Sequence, residues 1–169
     1  TRDIGYTDMP EYTAGLNTGF SWKNFDFSMQ WTGAWNVDRM LDEFRRPLGD
    51  TNEKGLLLYH YDTTWRSSAD TFTAKFPRTS SLHASNNYAG SDLYLINASY
   101  LRLKSVEIGY NFNFPFMKKL KMDNCRLYVN GYNLITITGF KWGDPESRQS
   151  SRPNYPLTRV FNIGLKLGF

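Results

Sequence analysis

The amino-acid sequence predicts an all-β fold of about five antiparallel strands, and three observations carry that prediction. Apolar and polar residues alternate with a period of two in several runs of strand length, the pattern of a sheet with two unlike faces. Aromatic residues make up 17% of the 169 residues, with 11 Tyr, 12 Phe and 5 Trp, yet mean hydropathy is negative. No apolar run approaches the roughly 20 residues that a membrane-spanning helix requires, so a helical membrane protein is excluded. Two classes remain: an all-β domain bathed in water, or a membrane β-barrel whose alternating strands average out in hydropathy.

The first strand covers Tyr12–Trp22, where Tyr12, Ala14, Leu16, Thr18, Phe20 and Trp22 alternate with Thr13, Gly15, Asn17, Gly19 and Ser21. After Lys23 and Asn24 the alternation resumes over Phe25–Trp35, with Phe25, Phe27, Met29, Trp31, Gly33 and Trp35 on one side. Trp22 and Phe25 flank the link and face the same way, as a two-residue hairpin requires. From 36 to 99 the alternation dissolves, over a stretch far longer than the 12 to 15 or so residues beyond which structureless loops are uncommon. Its Leu57, Leu58, Tyr59, Tyr61, Trp65, Phe72, Phe76, Tyr88, Leu93, Tyr94 and Leu95 are too apolar for a linker, which points to a functional loop.

A third strand is expected at 100–114, with Val106, Ile108, Tyr110, Phe112 and Phe114 on one face. Leu101 and Leu103 have the opposite parity. Either a bulge lies near Lys104 and Ser105, or the upper half of the strand projects beyond the region where an apolar face is needed. Pro115 cannot donate to a ladder and opens a turn at 115–124. A fourth strand of mixed facing follows at 125–137, then a second long polar loop at 139–156. The last strand, 157–169, carries Phe161, Ile163, Leu165, Leu167 and Phe169 on one face and Asn162, Gly164, Lys166 and Gly168 on the other.

The net charge of +4 does not point to nucleic acid. The basic residues are scattered outside the turn that holds Lys118, Lys119 and Lys121, and they do not interleave with aromatic residues. The single cysteine, Cys125, excludes an internal disulfide, and the residue pattern asks for neither a metal nor any other cofactor. No catalytic constellation is recognisable, so the expected role is not enzymatic. His60 and His83 read as solvated loop residues with no Ser or Cys partner at motif spacing. Asp144 and Glu146 flank Pro145 and read as a proline-fixed turn in preference to a carboxylate pair or a calcium site. The chain opens on Thr1-Arg2-Asp3-Ile4 without the apolar core of an export signal, so an exported parent is expected to have had its N-terminus removed or to extend beyond it.

The links run short, long, short, long, which places the short turns at one end of the strands and the long loops at the other. Outer-membrane barrels have this asymmetry, with short periplasmic turns and long external loops. Each predicted strand also reaches the roughly 9 to 11 residues that suffice to cross. Five strands cannot close, and an open edge in lipid leaves backbone groups unpaired. The remaining strands are therefore expected elsewhere in a parent chain, with the C-terminus on the periplasmic side. On this reading Phe20, Trp22, Phe25, Phe27, Trp31 and Trp35 face lipid or form its aromatic girdle. Phe161, Ile163, Leu165, Leu167 and Phe169 would be the signal paired by the outer-membrane assembly machinery. The rival reading is a soluble β-sandwich carbohydrate-binding module that uses the same residues as its core.

The run Asn97-Ala98-Ser99-Tyr100-Leu101-Arg102-Leu103-Lys104-Ser105-Val106-Glu107-Ile108-Gly109-Tyr110 resembles the signature of the SusC/RagA family of TonB-dependent outer-membrane transporters. Leu127-Tyr128-Val129-Asn130-Gly131-Tyr132-Asn133-Leu134 resembles that family's next strand, Asp144-Pro145-Glu146 its following loop, and 158–169 its closing strand. Ala74-Lys75-Phe76-Pro77-Arg78 is similar to an element of its long loop, with Phe in place of Tyr. The resemblance implies that 1–169 is the C-terminal part of a barrel of about 22 strands, with signal peptide, plug and remaining strands absent from these residues. It implies import of glycan or peptide oligomers, a SusD-like surface lipoprotein as partner, and a TonB complex acting through the missing N-terminal part. Substrate contacts are then expected from loop residues Tyr59, Tyr61, Trp65, Arg66 and Trp142, which can stack on sugars or clamp a peptide.

Overall fold

A computed structural model describes residues 8–40, 58–78, 89–115, 121–147 and 157–169. Leu57, His83, Tyr88, Lys118 and Lys119 lie outside the described residues. Among the described residues there are seven strands: β1 (Tyr12–Trp22), β2 (Phe25–Trp35), β3 (Asp38–Met40), β4 (Leu95–Asn97), β5 (Tyr100–Phe112), β6 (Asn124–Thr138) and β7 (Val160–Gly168). β1, β2, β5, β6 and β7 form one antiparallel sheet in that order, and β3 pairs with β4.

The bounds of β1 and β2 are those the alternation predicts. Lys23, at φ 54°, takes the left-handed conformation that lets two residues turn the chain, and its Nζ sits 4.8 Å from the Trp22 ring centroid. β5 stops at Phe112, two residues short of expectation, because Pro115 just beyond offers no N–H to continue the ladder. β7 starts at Val160 and not at 157, because its pairing with β6 ends at Tyr132. The next β6 residue, Asn133, turns left-handed at φ 53°.

The phase problem in β5 is resolved by a bulge. Where β2 steps once, from Gln30 to Trp31, β5 steps from Ser105 to Leu103 and leaves Lys104 out of register. That one residue brings Leu101 and Leu103 onto the face of Val106 and Ile108. The register then runs Phe20, Phe27, Ile108, Val129 and Ile163 straight across all five strands. The opposite face reads Gly19, Ser28, Glu107, Asn130 and Asn162 along the neighbouring row. β6 thereby acquires a definite facing, with Cys125, Leu127 and Val129 on the apolar side and Arg126, Tyr128 and Asn130 on the polar side.

Among the described residues nothing covers the apolar face: Phe20 is 62% exposed, Phe161 71% and Ile163 74%. A sandwich would lay a second sheet over this face, and no such sheet is found among the described residues. At about 3.3 Å per residue and the roughly 40° tilt usual in barrels, the 11 residues of β1 reach roughly 25 Å, the height of the apolar band of an outer-membrane barrel. A small buried core lies at the long-loop end, where Val37, Ala98 and Phe140 pack together with Ile96 and Trp142 against them.

The polar face is also tightly fitted. The Tyr128 ring lies across Gly164, so that an added Cβ would fall inside the ring's van der Waals envelope. Gly164→Val is expected to cost about 1–3 kcal/mol through overpacking, read as a lower guanidinium midpoint of the refolded parent. Gly139→Ala, where the new Cβ meets open space, should leave the midpoint nearly unchanged.

Candidate functional site

Two charged networks occupy the polar face. The first lies toward the short-turn end. Arg126 of β6 ion-pairs with Asp26 of β2, its Nε donating to Asp26 Oδ1 at 3.0 Å, and with Glu107 of β5 at 2.7 Å. Asn111 Nδ2 donates to Asp26 Oδ1 at 3.3 Å, Asn130 Nδ2 to Glu107 Oε2 at 3.3 Å, and Asn162 Nδ2 to Asn130 Oδ1 at 2.9 Å. Four strands are thus stitched together by side chains as well as by their ladders. The reach of Arg126 to Asp26 passes over Gly109, where a Cβ would collide with both the guanidinium and the carboxylate. Glycine is required there for clearance, not for its φ.

The second network lies at the long-loop end and centres on Arg102, whose side chain is 2% exposed. Its Nη2 donates to Asp144 Oδ1 at 2.8 Å, its Nη1 to Glu146 Oε2 at 2.7 Å and its Nε to Thr136 Oγ1 at 3.0 Å. All three guanidinium nitrogens are therefore occupied. Asp144 is held in place by its own turn, since Ser147 N donates to Asp144 O at 3.0 Å and Glu146 N to Asp144 Oδ1 at 2.8 Å. This is the proline-fixed turn expected from Asp144-Pro145-Glu146, with the added finding that its two carboxylates grip one arginine.

The loop residues expected to contact substrate are distributed over the segment 58–78 and the start of the second loop. Helix α1 (Leu58–Thr63) carries Tyr59, whose ring packs edge-on against Trp142 with centroids 4.5 Å apart and against Phe76 at 5.9 Å. Tyr61 is 59% exposed, with the Arg66 guanidinium 4.6 Å from its ring centroid. Trp65 is partly buried, and its N donates to Phe76 O at 2.9 Å. Tyr61 and Arg66 are therefore brought together at the surface, whereas Tyr59 and Trp142 pack on each other. Asp70 accepts hydrogen bonds from Ser67 N at 2.9 Å and Arg66 N at 3.1 Å, which hold its carboxyl below the usual range. The Phe of Ala74-Lys75-Phe76-Pro77-Arg78 is buried and stacks on Tyr94 at 5.7 Å.

His60 corrects the expectation of a solvated residue. It is only 4% exposed, beside the Tyr59 and Phe76 rings, and burial pushes its pKa below the ordinary histidine value. The residues that organise the polar face, Arg102, Arg126, Asp26 and Glu107, were not among the expected site residues. For Arg126, Asp26 and Glu107 the signal was present, as charges of opposite sign at the polar parity of strands that become neighbours; Arg102 shares the sequence parity of Val106 and Ile108, and only the bulge turns it to the polar face.

No protein-family model matches the chain. Its sequence is 29% identical over 177 residues to a TonB-dependent receptor of Formosa agariphila, a match that covers 95% of this chain and 16% of the receptor. It is 28% identical over 157 residues to the TonB-dependent receptor SusC of Bacteroides thetaiotaomicron, covering 92% of this chain and 15% of SusC. By sequence the chain is similar to TonB-dependent receptors, SusC among them. It spans only about a sixth of the length of these receptors. The RagAB peptide transporter shares its fold, with a TM-score of 0.68 at 21% identity over 97% of this chain and 18% of that one. The RagAB importer in its closed-closed state gives a TM-score of 0.73 at 22% identity, with the same coverage. The five-stranded sheet therefore has the fold of part of the RagAB transporter.

Proposed function

We propose that this chain forms the C-terminal arc of the barrel of an outer-membrane importer that takes up glycan or peptide oligomers and works with a SusD-like surface lipoprotein. TonB would supply the energy through the part of the parent that carries the plug. The observation that carries this reading is the one-sided sheet: a continuous, uncovered apolar face across all five strands, backed by a face of paired charges and amides. Lipid suits the first face and a water-filled or plugged lumen the second. In this arrangement Phe20, Trp22, Phe25, Phe27, Trp31 and Trp35 face lipid and its interfaces, and Phe161, Ile163, Leu165, Leu167 and Phe169 form the assembly signal of a strand whose end is periplasmic. Among the loop residues, Tyr61 and Arg66 are the exposed pair placed to meet substrate, with Tyr59, Trp65 and Trp142 supporting that surface.

The test is the gel mobility of the full-length parent from outer-membrane extracts, with and without boiling, probed by an antibody to this segment. The expected result is a band several times larger than the 19.6 kDa of this chain that shifts on boiling. A soluble species near 19.6 kDa with no shift would overturn the transporter reading.

A further inference from the structure

We propose that Arg102 is a latch that holds both long-loop segments folded inward over the polar face as one unit. Arg102 stands on the polar face of β5, level with Thr32 and Thr136. The carboxylates of Asp144 and Glu146 that meet it must lie over that face, so the described start of the second loop, 139–147, turns in above the sheet. The same turn also holds the first loop segment. Arg39 of β3 donates through Nη2 to Pro145 O at 3.3 Å, and Trp142 packs on Tyr59 of α1 with ring centroids 4.5 Å apart. Wall, turn, β3 and α1 therefore meet around one buried guanidinium.

Arginine suits this role because its planar fork grips two carboxylates at once while Nε is satisfied by Thr136, a geometry that a lysine ammonium cannot reproduce. Removing it leaves the Asp144 and Glu146 carboxylates without the cation that grips both of them, while Lys104 stays 3.4 Å from Glu146. Opening the latch is thus coupled to unpacking Trp142 from Tyr59, and the two loops are released together.

Chymotrypsin treatment of membranes that carry the full-length parent tests this, because it cuts after Tyr59 and Trp142, the two rings whose packing reports the latch. Arg102→Met is expected to raise cleavage after both by roughly tenfold, with the open population setting the rate, while the boiling shift persists. Arg102→Lys should fall between. The double variant Asp144→Asn with Glu146→Gln, which lies outside the strands, should match Arg102→Met and covers the case in which the strand substitution fails to assemble. Unchanged cleavage in either folded variant overturns the latch, and so does cleavage that rises after Trp142 alone. The inward direction of the fold rests on the barrel reading. A wild-type parent without a boiling shift sinks that reading, whereas a retained shift with unchanged cleavage sinks only the latch.

Discussion

Ile163→Arg is expected to destabilise the folded parent by about 2–4 kcal/mol, because it places a charge near the middle of the apolar band. Ile163 is 74% exposed and continues the row of Phe20, Phe27, Ile108 and Val129. The measurement is the guanidinium midpoint of the full-length protein refolded into lipid vesicles. The adjoining residue supplies the control: Asn162 points to the polar face and bonds Asn130, so Asn162→Arg should cost about 1 kcal/mol, the worth of one hydrogen bond. Equal losses at 162 and 163 would mean that the two faces do not differ in environment, and the assignment of lipid to the apolar face would fail.

Arg126→Met is the second large effect. It leaves Asp26 and Glu107 without their shared cation in a sheet face where both are partly shielded, and a loss of about 1–3 kcal/mol follows from three charge-assisted bonds removed with their acceptors left behind. The upper end of the range for fully buried pairs does not apply, since all three side chains retain some exposure. The informative experiment is the cycle. Asp26→Asn combined with Arg126→Met should cost less than the sum of the two single changes by about 0.5–3 kcal/mol, the coupling of residues in one network. Strict additivity would show that the contacts contribute nothing jointly.

These effects divide along the line between local and non-local information. Strands β1 and β2 were legible to the residue, because alternation is written within each run and a two-residue link forces Trp22 and Phe25 to one side. The Asp144-Pro145-Glu146 turn was legible for the same reason: its hydrogen bonds are made within four residues. β5 was only half legible. Its parity break at Lys104 was visible, but a bulge and a change of environment leave the same trace in sequence, and only the pairing with β2 separates them.

The sequence by itself determined the class of the fold, the amphipathic period and the end of the molecule at which the long loops lie, since these depend on each residue and its near neighbours. Tertiary structure alone decided that Arg102 grips carboxylates 42 and 44 positions away, that Arg126 reaches Asp26 100 positions away across a glycine, and that His60 is buried among rings. Among 20 basic and 16 acidic residues, many pairings satisfy the charges equally well on paper. Strand register selects one of them, because it sets which side chains come within hydrogen-bonding distance.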